Sequence, residues 1–273
     1  MWSQSRRFRR AAVIEHRAVA LIATLAIFAS SAAGAARWPG GDDHALPCRP
    51  TIACTADLVP PGSVEVELGY LFRRLGAGAL QHSTPVLVKL TLARWVQLQV
   101  DTNGYTYASG AVPARFVDDV VIGAKLHLVN QRDLFPSLSW SAALSVPIGA
   151  QPGYVRTYDS FLTAYVTKDV RRLHLDLNLG VNLWRLDGPV LIQPWIALAA
   201  SIELPRRFTA MLELYYFTDA APIAPRDGGT LIAAAYAARS WLVVDLGFDV
   251  GWIQEQRAVS AFTGLTIIPG ILW

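Results

Sequence analysis

The sequence predicts an all-β protein: an antiparallel transmembrane β-barrel of about twelve strands that follows a cleavable signal peptide. Two observations support this fold class. Hydrophobic residues make up 53% of the 273 residues and charged residues only 16%, so the chain must cover much apolar surface. The apolar residues of the later chain also alternate with polar ones at a period of two, which is typical of strands with two different faces.

Residues 1–35 have the features of a secretory signal peptide. Arginines at positions 6, 7, 9 and 10 precede an apolar run of 11 residues, and small residues up to Ala35 follow it. This run is too short for a membrane helix, which needs about 20 residues. We therefore expect export to the bacterial outer membrane. Without this basic segment the chain is close to neutral, so it lacks the positive patch of a nucleic-acid-binding protein.

Residues 36–61 are rich in proline and polar residues, and we expect a flexible periplasmic N-terminal segment. It either hangs in the periplasm or folds into the mouth of the barrel. Cys48 and Cys54 are the only cysteines of the chain, and an exported protein meets an oxidising compartment. A small disulfide loop is the favoured interpretation. A lipid anchor on Cys48 lacks a signal directly before it, and a metal site lacks further ligands.

Residues 62–273 are predicted to form the barrel. Between Leu173 and Leu183, leucine or valine occupies every odd position, and polar residues or glycine occupy the even ones. The same alternation runs from Ser137 to Ile148 and from Trp241 to Ile253. Reading the chain this way predicts twelve strands. They span residues 62–75, 84–93, 96–107, 117–129, 137–148, 158–166, 173–184, 190–203, 208–217, 230–238, 241–253 and 259–268.

The connections between these strands alternate in character. Five short ones contain arginine, at positions 94, 132, 171–172, 206–207 and 239, and most of the others are longer and rich in glycine, proline and polar residues. Short periplasmic turns that alternate with long outer loops are expected of outer-membrane barrels, and an even strand number returns both termini to the periplasm. Pro269 and Gly270 are expected to interrupt the final strand near Ile268, although Trp273 still offers a terminal aromatic residue.

A soluble β-sandwich or lipocalin-like barrel is the structural alternative, because alternation alone does not say which face meets water. Aromatic residues near strand ends favour the membrane, since such residues form girdles at the two interfaces of a membrane barrel. Examples are Tyr70, Trp95, Tyr105, Trp184 and Trp252.

The stretch DLVPPGSVEVELGY, from Asp57 to Tyr70, resembles the opening of a family of outer-membrane transporters named for the meta-pathway of phenol degradation (MetA-pathway of phenol degradation). Residues 118–125, 145–149 and 177–180 are similar to further motifs of that family. The resemblance runs from about Asp57 to the C-terminus. It implies an outer-membrane barrel that helps small, often apolar or aromatic, molecules enter the cell. The family offers no catalytic residues to carry over.

Charged residues on the face opposite the apolar one are the candidate functional residues, because we expect them to face the lumen. They are Glu65, Glu67, Lys89, Asp101, Lys125, Asp176, Glu213, Asp245 and Asp249. Opposite charges across a narrow lumen set permeation or bind a polar solute. The alternative is that they fill the lumen with ion pairs and water, because a buried charge must be paired or hydrated.

The expected function is a transporter or channel for small solutes, and the alternative is a structural barrel with a plugged lumen. An outer-membrane lipid-acting enzyme is less favoured. It needs a nucleophilic serine beside a histidine on the lipid-facing wall, whereas His127 and His174 are predicted to face the lumen. We predict no catalytic residue, metal site or cofactor. The expected partners are outer-membrane lipid and lipopolysaccharide, the barrel-assembly machinery and a small-molecule solute, with no nucleic acid.

Overall fold

The structure, a computed structural model, describes residues 44–110, 113–150, 158–185, 189–221 and 224–273. The predicted signal peptide and residues 36–43 lie outside these ranges. The described chain contains fifteen strands in one antiparallel sheet. They are β1 (Ser63–Leu75), β2 (Leu80–Ser83), β3 (Val86–Ala93), β4 (Val96–Thr102), β5 (Tyr105–Ala108), β6 (Ala114–Val117), β7 (Val120–Val129), β8 (Ser137–Val146), β9 (Ser160–Val170), β10 (Leu173–Arg185), β11 (Val190–Leu204), β12 (Phe208–Phe217), β13 (Asp227–Arg239), β14 (Leu242–Ile253) and β15 (Gln256–Ile271).

Twelve of these strands close into a barrel, because β15 pairs antiparallel with β1. The order around the wall is β1, β3, β4 and then β7 to β15 in sequence. Each pair of neighbours in this order is antiparallel, and the predicted twelve-strand antiparallel barrel is confirmed. Within the described ranges, two short 3-10 turns connect strands, at Gly76–Gly78 and Pro205–Arg207. Among the described residues, no helix is long and apolar enough to cross a membrane.

One predicted strand, residues 96–107, is divided into β4 and β5, and two further breaks separate β3 and β7 from the additional short strands β2 and β6. The breaks fall at residues 84–85, 103–104 and 118–119. Pro85 has no N–H to donate, and Gly104 has a φ of +64°, so neither continues a regular strand. Beyond the breaks, β2, β5 and β6 extend the wall next to the end of β1.

The final strand is longer than expected. β15 continues through Pro269 and Gly270 to Ile271, so the prediction that this pair interrupts the strand is wrong. The pairing with β1 shifts between Val64 and Val66, whose partners are Gly270 and Ile267. This irregularity is a bulge, and a bulge accommodates proline because its extra residue needs no ladder hydrogen bond.

The apolar face of the wall points away from the barrel interior. Leucine, isoleucine and aromatic side chains are exposed there, among them Ile192, Ile232 and Leu246. Polar side chains such as Glu65 and Glu213 are fully buried on the other face. An apolar belt around a polar interior is the arrangement of a membrane barrel, so the apolar-inward arrangement of the soluble alternative is not observed.

The two ends of the barrel differ. Residues 94–95, 130–136, 171–172, 205–207 and 240–241 make turns at one end, where both Gly62 and Leu272 also lie, joined by a backbone hydrogen bond of 2.8 Å. We call this the short-turn end and the opposite one the loop end. The connections at the loop end are mostly longer, with the exception of the two-residue turn at Gln254–Glu255.

Candidate functional site in the barrel lumen

Residues 44–61, here called the lumen segment, lie inside the barrel. The N–H of Ala45 donates to the carbonyl of Ser240 (2.8 Å), and Gly62 bonds to Thr91 (2.8 Å), so the segment enters and leaves at the short-turn end. Between these points Ala53 and Ala56 are 1% and 0% exposed. For the described part of the predicted N-terminal segment, these contacts favour folding into the mouth over hanging free.

Two glutamates of β1 bind the first part of the lumen segment. Glu65 accepts a hydrogen bond from the N–H of Leu46 (2.7 Å). Glu67 accepts from the N–H groups of Cys48 (2.9 Å) and Arg49 (3.0 Å). The segment pairs with no strand along this stretch, so its buried N–H groups need acceptors from side chains. The carboxylates predicted to line a path therefore act here as acceptors for the chain's own backbone.

Lys89 of β3 compensates the charge of these two carboxylates. Its Nζ forms ion pairs with Glu65 and with Glu67 (2.6 Å for the latter), and it donates to the carbonyl of Leu46 (2.8 Å). All three side chains are almost completely buried. Because Glu65 and Lys89 are direct partners in the β1–β3 register, the wall itself holds this cluster together. A buried charge of this kind is costly unless it is paired.

The opposite wall binds the middle of the lumen segment. Glu213 of β12 accepts from the N–H groups of Ile52 (2.8 Å) and Ala53 (2.6 Å). Asn178 of β10, with its amide oriented to satisfy both groups, donates to the carbonyl of Cys54 (2.9 Å) and accepts from its N–H (2.8 Å). The segment thus crosses the lumen from β1 to β10 and β12.

Lysine and hydroxyl side chains bind the last part of the segment. Lys125 of β7 donates to the carbonyl of Thr55. Thr167 of β9 accepts from the N–H of Ala56 (2.6 Å), and Ser139 of β8 donates to the Ala56 carbonyl (2.5 Å). These hydroxyl residues were not among the candidate residues expected from the sequence. Serine and threonine at inward positions of consecutive strands were the signal available for them.

Cys48 and Cys54 are joined by a disulfide, with their Cα atoms 4.6 Å apart. The bond closes a loop that contains Arg49 and Ile52, in the part of the segment that crosses the lumen. Arg49 lies 3.6 Å from a carboxylate oxygen of Asp245 and donates to the carbonyl of Thr263 (3.1 Å). The disulfide loop is therefore bound to the wall on both sides.

The strand registers place all nine candidate residues on the inward face, since residues that pair directly across strands share a face. Six of them contact the lumen segment: Glu65, Glu67, Lys89, Lys125, Glu213 and Asp245. Asp176 accepts from Thr167 (2.5 Å), which itself binds the segment. Asp249 accepts from Tyr215 (3.0 Å) and Ser260 (3.2 Å). Asp101 lies nearer the loop end and is exposed.

A cavity of about 140 Å³ remains between the lumen segment and the loop end. Its polar lining includes Arg49 of the segment, Arg73 of β1 and Asp249 of β14. The rest is mostly apolar or aromatic and includes Leu71, Tyr215, Leu231 and Phe262. A mainly apolar pocket with a few converging polar groups is the usual form of a small-molecule site.

The two strand histidines each contact polar side chains, and Nε2 of His127 lies 2.8 Å from Asn130 Oδ1. Nδ1 of His127 lies 3.1 Å from Ser139 Oγ, but that hydroxyl donates to the Ala56 carbonyl at 2.5 Å. The Ser139 hydroxyl thus binds the backbone of the lumen segment in this structure. His174 pairs with Asp169 (2.6 Å) and Asp176 (3.0 Å). The described residues also contain no cluster of three or more metal-ligating side chains.

Comparisons with known proteins agree on the fold. No protein-family model matches the chain, and no curated protein matches it. Among solved structures, an outer membrane channel from Pseudomonas putida F1 aligns with a TM-score of 0.58 at 13% identity, over 85% of this chain and 100% of that one. The NanC porin aligns with a TM-score of 0.53 at 8% identity, over 74% of this chain and 98% of that one. At such identities the likeness concerns the fold, which is that of outer-membrane β-barrels.

Proposed function

We propose that this protein is an outer-membrane channel for small solutes that combine an apolar or aromatic body with a polar group. The observation that carries the proposal is the cavity of about 140 Å³ between the lumen segment and the loop end. An apolar cavity of about 150 Å³ takes a molecule of the size of benzene. Here Leu71, Leu231 and Phe262 offer apolar contacts, while Arg49 and Arg73 offer hydrogen-bond donors to a polar group.

The sequence resemblance supports the same class of solute. The motif from Asp57 to Tyr70 joins the end of the lumen segment to the first strand, and it resembles the opening of the transporter family named for the meta-pathway of phenol degradation. Membership of that family is part of the proposal. The lumen segment would then form the constriction below the cavity, and a solute would pass beside it or displace it.

A structural barrel with a closed lumen is the second candidate. The observation that favours it is the dense set of hydrogen bonds between the lumen segment and three parts of the wall, through Glu67, Glu213 and Thr167. Buried polar networks that are fully satisfied make a region rigid. A rigid segment in this position would block passage.

Uptake by proteoliposomes distinguishes the two candidates. The probe is radiolabelled benzenesulfonate, an aromatic anion whose strong acid group stays ionised at neutral pH, so that it crosses pure lipid slowly. We expect the wild type to admit it, and Leu231→Trp to slow uptake about fivefold or more, because a larger side chain obstructs a narrow passage. Ile232→Trp is the matched control, since Ile232 is the next residue of β13 but is 63% exposed on the outer face, against 4% for Leu231.

Each outcome separates the candidates. Uptake by the wild type and by Ile232→Trp, with loss in Leu231→Trp, supports the channel. Wild-type vesicles that take up no more benzenesulfonate than protein-free vesicles support the structural barrel. Equal uptake by both variants contradicts passage through the cavity.

A further inference from the structure

Arginine side chains surround the short-turn end. Every turn at this end that the structure describes contains or adjoins at least one exposed arginine. We call these residues the arginine rim, and they are Arg94, Arg132, Arg171, Arg172, Arg206, Arg207 and Arg239. The rim therefore follows the barrel wall around its circumference and is not a patch on one side.

The charge of the rim is mostly uncompensated. Over the described ranges of the chain, no rim arginine forms an ion pair with an acidic side chain. Arg207 and Arg239 both donate to the carbonyl of Ala238 (3.4 and 3.0 Å), which carries no net charge. The acidic residues within three positions of the rim are Asp133, Asp169 and Glu203, and Asp169 is already paired with His174.

Three rim arginines occupy a backbone conformation that arginine does not favour. Arg171, Arg206 and Arg207 have φ values of +60°, +64° and +66°. Glycine and asparagine adopt this left-handed region at lower cost. At the loop end, Gln254 and Glu255 form a turn with φ values of +47° and +68°, so this turn geometry does not itself require a positive charge. Because the backbone conformation does not favour arginine here, we attribute the presence of arginine at these positions to its positive charge.

The rim borders the apolar belt. Large apolar residues next to its arginines are strongly exposed, among them Trp95, Leu134, Phe135 and Phe208. Exposed aromatic residues beside basic side chains are typical of the interface at which a membrane protein meets the phosphate groups of lipids. The rim is therefore continuous with the surface that contacts lipid.

We propose that the arginine rim binds the phosphate groups of anionic phospholipids in the leaflet at the short-turn end. A basic residue close to an anionic leaflet gains favourable electrostatic free energy, and several such residues act together. In outer-membrane barrels the short turns face the periplasm, where the leaflet consists of phospholipid. This lipid site does not depend on whether the lumen conducts solutes.

The test places the full-length protein in nanodiscs that contain both phosphatidylglycerol and phosphatidylcholine. Native mass spectrometry then measures how much of each lipid stays bound to the wild type and to each variant. The variant combines Arg171→Asn, Arg206→Asn and Arg207→Asn, because asparagine suits the positive φ at all three positions. The matched control combines Gln254→Asn and Glu255→Asn at the loop end. Heat-modifiable mobility on gels reports whether each variant is folded.

We expect the wild type and the control to retain more phosphatidylglycerol than phosphatidylcholine. In the triple variant this preference should fall about tenfold, since each basic residue removed weakens binding to an anionic leaflet. Equal retention of the two lipids by the wild type overturns the proposal, as does an unchanged preference in the folded triple variant. Should that variant fail to fold, the salt dependence of the wild type decides. Added salt must release phosphatidylglycerol, and retention that is insensitive to salt overturns the proposal.

Discussion

The two halves of the lumen are built from the same alternating strands but contain different things. In the short-turn half, the lumen segment occupies the interior, and Glu65, Glu67 and Lys89 form a buried charged cluster against it. In the loop half, Arg73 and Asp249 line a cavity instead. The strand pattern makes an inward polar face in both halves. The difference arises from the lumen segment, because residues 44–61 occupy only the short-turn half of the interior.

Most of the inward carboxylates are buried, and the lumen segment accounts for this burial. A chain that crosses a lumen without strand partners presents backbone N–H groups that must be satisfied. Carboxylates are strong acceptors for such groups, and Glu67 and Glu213 each accept two of them. Acidic residues on an inward face thus bind the lumen segment in one half and line the cavity in the other.

The largest expected effect is in the short-turn half. Lys89→Met should lower the free energy of unfolding by about 3–5 kcal/mol, because it leaves Glu65 and Glu67 buried without their cation. Urea titration of the protein in lipid vesicles measures the loss. Lys168→Met is the control, since the Lys168 side chain donates to the backbone carbonyl of Asp133 and, among the described residues, has no carboxylate partner. If both variants lose the same stability, the buried cluster does not hold this half together.

A smaller effect is expected from the disulfide of the lumen segment. Replacing Cys48 and Cys54 with serine should lower the free energy of unfolding by about 2 kcal/mol, the value expected for a short closed loop. Ion conductance in planar bilayers should rise, because the segment is then less constrained. Reductant added to the wild type should reproduce the change and leave the double variant unaffected, since the chain has no other cysteines. A double variant with unchanged conductance would show that the wall contacts alone fix the segment.

The smallest effect on stability is expected in the loop half. Arg73→Met removes one hydrogen bond, from Nε to Ser260 (3.1 Å), so the free energy of unfolding should fall by only about 1 kcal/mol. The same change removes one of the two arginines from the cavity lining and leaves Arg49 with Asp249, so the channel should become more selective for cations. Reversal potentials in a salt gradient measure this shift. A shift towards anions would contradict the assignment of Arg73 to the solute path.

The sequence predicted the wall of the barrel well because alternation is repeated in every strand. Twelve strands were expected, and twelve strands close the barrel. Glu65, Lys89 and Glu213 were expected on the inward face, and the strand registers place them there. Strand ends were less accurate, at the breaks beside Pro85 and Gly104 and in β15. Proline in β15 was expected to end the strand, whereas a bulge, which depends on the partner strand, allows it to continue.

The partners inside the lumen were not predictable from the sequence. Glu213 binds Ala53 across 160 positions of the chain, and Lys125 binds Thr55 across 70. No periodic pattern links residues so far apart.

The sequence by itself determined that this chain forms strands with one apolar and one polar face, because side chains of consecutive residues in a strand point to opposite sides. That property is local, so a window of ten residues is enough to reveal it. Only the tertiary structure decided that residues 44–61 lie within the barrel and that a cavity remains above them. The interior exists only once β15 pairs with β1, and what fills it depends on contacts between distant parts of the chain.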